Sequence, residues 1–195
     1  MVSFATPVEW EAWLARDHAR SSGVWLKIAK KAAADTTVTY AEALEAALCY
    51  GWVDGQKDKL DDDYWLQRFT PRRRKSKWSK INASKAEQLI RDGKMQPAGL
   101  HEVEQAKADG RWAEAYAGQR TAVVPPDLQA ALDANPAAKA MFETLRGANR
   151  YAILYRVQDA KRPETRTRRI EQFVAMLADG KTIYPALAKG QVTVN

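Results

Sequence analysis

Cysteine and histidine are nearly missing: the 195 residues hold one of the first and two of the second. Cys49 has no second thiol in the chain to oxidise with, so no intrachain disulfide is expected. A structural zinc or iron–sulfur centre draws on about four soft ligands, so neither a metal nor another cofactor is expected. No glycine-rich phosphate loop of the P-loop or dinucleotide type occurs. Long apolar runs are absent as well, so no segment is expected to insert in a membrane. The first twenty residues carry Glu9, Glu11 and Asp17 where a secretory signal would be apolar. The expectation is a soluble protein of a reducing compartment, the cytoplasm.

What is present argues for a packed core. Hydrophobic residues make up 46% of the chain, with seven tryptophans and seven tyrosines, far from a disordered composition. The net charge of +7 is unevenly spread. Residues 1–67 hold 7 cations and 11 acids, and residues 81–147 hold 8 and 9. Residues 68–80 hold 7 cations and no acid, and residues 148–195 hold 9 and 4. The excess therefore sits in two segments of an otherwise slightly acidic chain, which is not the signature of a generic polycation.

Local patterns outline an α+β fold. Thr6-Pro7-Val8-Glu9 reads as a capping box with proline at the first helical position. "GVWLKIAKK" alternates, with Val24, Leu26 and Ile28 on one face of a strand. "YAEALEAALCYG" aligns Tyr40, Leu44, Ala47 and Leu48 on a helix that stops at Gly51. "WVDGQK" and "YWLQRFT" read as two strands of a hairpin with an acidic tip, "DKLDDD". If that tip is centred near Asp61, Asp54 faces Arg68, Trp52 faces Thr70 and Gln56 faces Leu66. From Lys80 onward the pattern is helical, punctuated by Pro97, Pro126, Pro136, Gly147 and Pro163. The predicted architecture is a small antiparallel sheet of about three strands with helices, followed by an all-helical C-terminal region. The domains would be residues 1–116 and 127–195, with 117–126 as linker.

The two basic segments are the candidate sites. In "RFTPRRRKSKWSKIN" Pro71 ends sheet pairing, so a loop follows. Ser79 or Asn82 then caps a helix whose N-terminal N–H groups and positive dipole face the loop's own cations. An anion resolves that conflict, and Arg72, Ser76, Ser79 and Asn82 would be its donors. Trp78 would stack a base or sugar in such a site, or else pack in the core. In the second segment, at 100° per residue, Arg162, Arg166 and Arg169 fall within about 60° of one another. Phe173 and Leu177 continue that line, whereas Arg168 faces away. Guanidinium groups on a buried line need carboxylates, carbonyls or a bound anion. An internal ion-pair network and a bridge between domains satisfy that need as well as a ligand does.

Evidence for catalysis is thin. Asp54 beside Gly55, opposite Arg68, reads as a structural carboxylate–guanidinium pair, with a general base as the alternative. Cys49 lies on an apolar helix face and reads as a small buried residue. His18 and His101 read as surface helix residues, and no nucleophile–histidine–acid set can be assembled.

Taken in order, "ALCYGWVDGQ", "YWLQRFTPRRRKSKWSKIN", "GKMQPAGL", "ADGRWAEAY" and "AKRPETRTRRIEQFVAML" resemble the YdeI/OmpD-associated family, also labelled bacteriocin-protection proteins. The resemblance runs from about Phe4 to Tyr184. It implies a link to antimicrobial-peptide resistance and to an outer-membrane porin; the absence of an export signal argues against the porin. Its typical residues include Trp52, Asp54, Gly55, Arg68, Pro71, Arg72, Ser76, Trp78, Ser79, Asn82, Arg162, Glu164, Thr165, Arg166 and Arg169. They coincide with the two basic segments. The leading expectation is a binding protein whose segments converge on a cleft for an anionic, phosphorylated small molecule. A nucleic-acid binder and an enzyme using Asp54 as base are the alternatives.

Overall fold

A computed structural model of the chain describes residues 1–184. It divides into two units, Met1–Ala115 and a second beginning at Tyr116. The residues 185–195 that the expected helical domain included lie outside the described ones.

The first unit holds α1 (Pro7–Asp17), β1 (Val24–Ala29), α2 (Tyr40–Cys49), β2 (Trp52–Lys59), β3 (Tyr64–Pro71), α3 (Lys80–Arg91) and α4 (Pro97–Ala108). Its strands form one antiparallel sheet in the order β1-β3-β2. Alternation does the expected work: Val24, Leu26 and Ile28 are buried, as are Gln67 and Phe69 on the central strand. Against that face pack α1, through Trp10 and Leu14, and α2, through Leu44, Ala47 and Leu48. Trp10 stacks on Trp13 at 5.3 Å and 7°, and Phe4 and Phe69 lean on Trp10 at 5.5 and 5.8 Å. Each enclosed ring removes on the order of 150–250 Å² from water, roughly 4–6 kcal/mol at about 25 cal/mol per Å².

The caps refine the sequence reading. Thr6 accepts from the N–H of Glu9, but the Glu9 carboxylate takes the N–H of Ala5 rather than that of Thr6. The reciprocal box belongs to α2, between Thr39 and Glu42. Gly99 sets the distance between α4 and α2: a β-carbon there would lie 2.3 Å from the Cys49 carbonyl and 2.7 Å from that of Leu48.

The second unit holds α5 (Pro126–Asp133), α6 (Pro136–Thr144), α7 (Gly147–Asp159) and α8 (Pro163–Ala178). Three of these four begin with proline, whose missing N–H costs nothing at a helix start. Leu128, Leu132, Phe142, Ile153, Val157, Phe173 and Leu177 form its separate core. The fold is α+β, a three-stranded antiparallel sheet with helices followed by a helical C-terminal part.

Candidate functional site

The basic segment after β3 is an ordered loop. The Arg72 side chain turns inward, is 6% exposed, and its guanidinium carbon sits 3.4 Å from the Trp78 ring centre. Its Nη1 donates to the Lys77 carbonyl at 3.1 Å, tying the two ends of the loop together. Between them the Arg73 N–H donates to Ser76 Oγ at 2.8 Å, and the Ser76 N–H returns to the Arg73 carbonyl at 2.7 Å. Arg111, itself paired with Asp109, donates from Nη1 to the Ser76 carbonyl at 2.9 Å. Trp78 is 2% exposed and also meets Trp112 at 4.8 Å. The packing reading of Trp78 therefore holds, and the base-stacking one is corrected: the ring is enclosed, with a guanidinium already on its face.

This fold sorts the seven cations. Arg72 is spent on the stack, and Arg68 lies back on β3. Arg73, Arg74, Lys75, Lys77 and Lys80 are exposed. Among the described residues, the side chains of Arg73, Arg74, Lys75 and Lys80 make no hydrogen bond or ion pair. The bonds and charge of Arg111 hold the Asp109 carboxyl below its ordinary range, and the field of Arg74 adds a smaller push the same way. Burial pulls that carboxyl the other way, and its bonds from Arg111 outweigh it.

At the start of α3, Ser79 rather than Asn82 is the cap, its Oγ accepting the N–H of Asn82 at 3.1 Å. Ser79 and Asn82 are both buried. The Asn82 amide donates to Asp54 Oδ1 at 3.3 Å, and the Tyr40 hydroxyl donates to Asp54 Oδ2 at 2.8 Å. Asp54 thus lies where the first turns of α2 and α3 meet. The anion that the positive helix end calls for is supplied by the protein itself.

The expected Asp54–Arg68 pair does not form. Trp52 pairs with Pro71, Val53 with Thr70 and Asp54 with Phe69, one residue away from the expected register. A one-residue slip in a strand exchanges faces, so Asp54 shares the core side with Phe69 and Arg68 points to the other. There its guanidinium carbon lies 5.8 Å from the Trp25 ring, beside its cross-strand partner. A bulge at Gly55–Gln56 shifts the register again, so that Asp58, not Gln56, faces Leu66. The carbonyls of Gly55 and Gln56 both accept from the buried Gln67 amide, at 3.0 and 3.2 Å.

The arginine stripe lies within the second unit. Arg166 grips Asp127 through Nε and Nη2, the latter at 2.9 Å, and donates from Nη1 to the Val157 carbonyl at 2.7 Å. Arg169 donates to the Arg156 carbonyl and lies 3.9 Å from Asp159. Arg162 departs from the expectation. It is the N-cap of α8, one residue before the first turn, and its side chain is exposed with no partner among the described residues.

Several groupings escaped the sequence reading. His18 and His101, 83 positions apart, line one cavity of about 200 Å³ together with Tyr50 and Glu102. Glu11, Glu42, Glu45 and Cys49 line another of about 340 Å³. Burial, and then Glu11 and Glu45, push the Cys49 thiol up to about 11, which suits the inert reading. Among the described residues, no cluster of three or more histidine, cysteine, aspartate or glutamate side chains could hold a metal ion. No described helix is long and apolar enough to cross a membrane.

Comparison with known families divides the chain in the same way as the structure. Residues 2–102 match the model described as Domain of unknown function (DUF8412). Residues 121–180 match the one described as Bacteriocin-protection, YdeI or OmpD-Associated. The resemblance read over nearly the whole chain is thus carried by its second part, and the hairpin and basic loop fall in the first match. No curated protein and no solved structure matches the chain.

Proposed function

The chain belongs to the DUF8412 family, whose model covers just over half of it, and from that premise we propose a cytoplasmic protein that binds a polyanion, a nucleic-acid strand, on its basic loop. One observation carries this reading. Four cations stand exposed and unpaired: Arg73, Arg74 and Lys75 on a loop that four hydrogen bonds and one buried stack hold in shape, and Lys80 at the start of α3 beside it. A flexible chain would spread such charges; an ordered loop keeps them concentrated, ready to displace counterions from phosphates.

A small phosphorylated ligand is favoured less at this place. At the start of α3 the Asn82 N–H already has Ser79 Oγ, and the Asn82 side-chain amide already has Asp54. Asp54 as a general base is favoured less for the same reason, since its two oxygens serve Tyr40 and Asn82. A role in bacteriocin protection, taken over from the description of the family that residues 121–180 match, would then act through capture of an anionic partner.

The test is fluorescence anisotropy of labelled single- and double-stranded oligonucleotides against graded salt. Four phosphate contacts predict a slope of log K on log salt of about −3 to −4. The triple variant Arg73→Glu, Arg74→Glu, Lys75→Glu should lose binding while its melting temperature stays unchanged. Equal affinity of the variant and the wild type would overturn the proposal.

A further inference from the structure

The helix α7 carries two apolar stripes, and only one of them faces the helical core. Ile153, Leu154 and Val157 are buried there. Ala148, Tyr151, Ala152 and Tyr155 follow at i, i+3, i+4 and i+7 on the opposite side. With Gln119, Arg156 and Tyr184 they line a cavity of about 360 Å³. Two alanines make room, and the rings of Tyr151 and Tyr155 are held in place. Tyr151 donates its hydroxyl to the Ala117 carbonyl at 3.0 Å and lies 5.9 Å from Tyr155, whose other neighbour is Tyr116 at 5.2 Å. The Tyr184 backbone is clamped by Asn149 through two hydrogen bonds of 2.8 Å.

Around this aromatic lining stand two polar groups without work. Among the described residues, the side chains of Arg156 and Gln119 make no hydrogen bond or ion pair. We propose that the cavity binds a small planar ring bearing an anionic group, with the ring against Tyr151, Tyr155 and Tyr184 and the anion on Arg156. The size is at the lower end of the roughly 300–1,000 Å³ of small-molecule sites, enough for one ring system. Fixed phenol faces stack a planar ring at little entropic cost. Aromatic cages also take ammonium groups. Here a guanidinium stands in the lining and no carboxylate does, so charge selects an anion over a cation. This site is independent of the basic loop and of what binds there.

Titration calorimetry and amide chemical-shift mapping on the intact chain decide it. The ring–anion probes are benzoate and adenosine monophosphate; adenosine lacks the anion, inorganic phosphate lacks the ring, and tetramethylammonium reverses the charge. Benzoate, the monophosphate or both should bind at millimolar concentration or tighter and shift the amides of Ala148, Tyr151 and Arg156. Arg156→Gln should weaken that binding about tenfold, the loss of one charge-assisted contact. Ala148→Leu should fill the space and abolish it. Both positions are exposed, so the melting temperatures should match that of the wild type. The proposal fails if neither ring–anion probe moves these amides, or if shifts appear only at residues 72–80. It fails too if adenosine or tetramethylammonium binds as well as the monophosphate, a comparison that needs no variant.

Discussion

Arg166→Ala should destabilise the protein where Arg168→Ala does not, although the two residues are two positions apart on α8. The substitution removes two charge-assisted bonds to Asp127 and one to the Val157 carbonyl. Such bonds are worth about 1.5–3 kcal/mol when sheltered. These side chains are 28% and 44% exposed, and exposed pairs give about 0.2–1 kcal/mol. A net loss of about 1–2 kcal/mol follows, and with it a fall in Tm of roughly 3–8 °C. Arg168 is exposed and without a partner, so its replacement should stay within about 0.5 kcal/mol. Acid supplies a second handle. The guanidinium bond from Arg166, helped by the Leu128 N–H, holds the Asp127 carboxyl below its ordinary range. A carboxylate depressed in the folded state adds stability in full above the unfolded value of about 3.9 and loses it as pH falls below that. Circular-dichroism melts of the wild type and Arg166→Ala should therefore differ at neutral pH and converge in acid. Equal shifts for both arginine variants, or a gap that persists in acid, would refute the reasoning.

Three further outcomes are expected. Gly99→Ala should cost about 2–3 kcal/mol in urea unfolding, because the added carbon meets two backbone carbonyls that cannot rotate away. Arg72→Lys should cost about 1–2 kcal/mol, since an ammonium keeps the charge but loses the planar stack on Trp78 and the fork that reaches Lys77. Cys49 should resist a disulfide reagent at neutral pH until the chain is unfolded, its thiol being buried and pushed up to about 11.

Elements with a strong local signal were legible, and pairings that depend on distant atoms were not. Every helix from Lys80 to Ala178 begins or ends near a proline or glycine that the chain displays openly. The burial of Val24, Leu26 and Ile28 follows from alternation alone. Asp54 shows where such reading stops. Its expected partner rests on a hairpin centred near Asp61, but Asp58 rather than Gln56 faces Leu66 near the tip, and the bulge at Gly55–Gln56 takes back one residue, so Asp54 faces Phe69 and its carboxylate goes to Tyr40 and Asn82. Charge counting makes Arg72 a donor to a ligand and cannot reveal that Trp78 takes it into the core. On α8 the 100° spacing does set Arg166 and Arg169 against carboxylate and carbonyl partners. It fails at Arg162, where the helix has not yet begun and 100° per residue does not apply. The tyrosine stripe of α7 has helical spacing in the sequence, but spacing alone does not tell a lined cavity from a second packed face.

The division at residue 116 also separates the chromophores. All seven tryptophans, from Trp10 to Trp112, belong to the first unit, and the second has tyrosines only. Red-edge excitation of indole therefore watches one half of the molecule, while the helical circular-dichroism signal watches both. If the two signals melt together, the halves unfold as one cooperative body; if indole emission changes at a different temperature, they are separate thermodynamic units. The same chain, unlabelled and unmutated, carries its own two-channel thermometer.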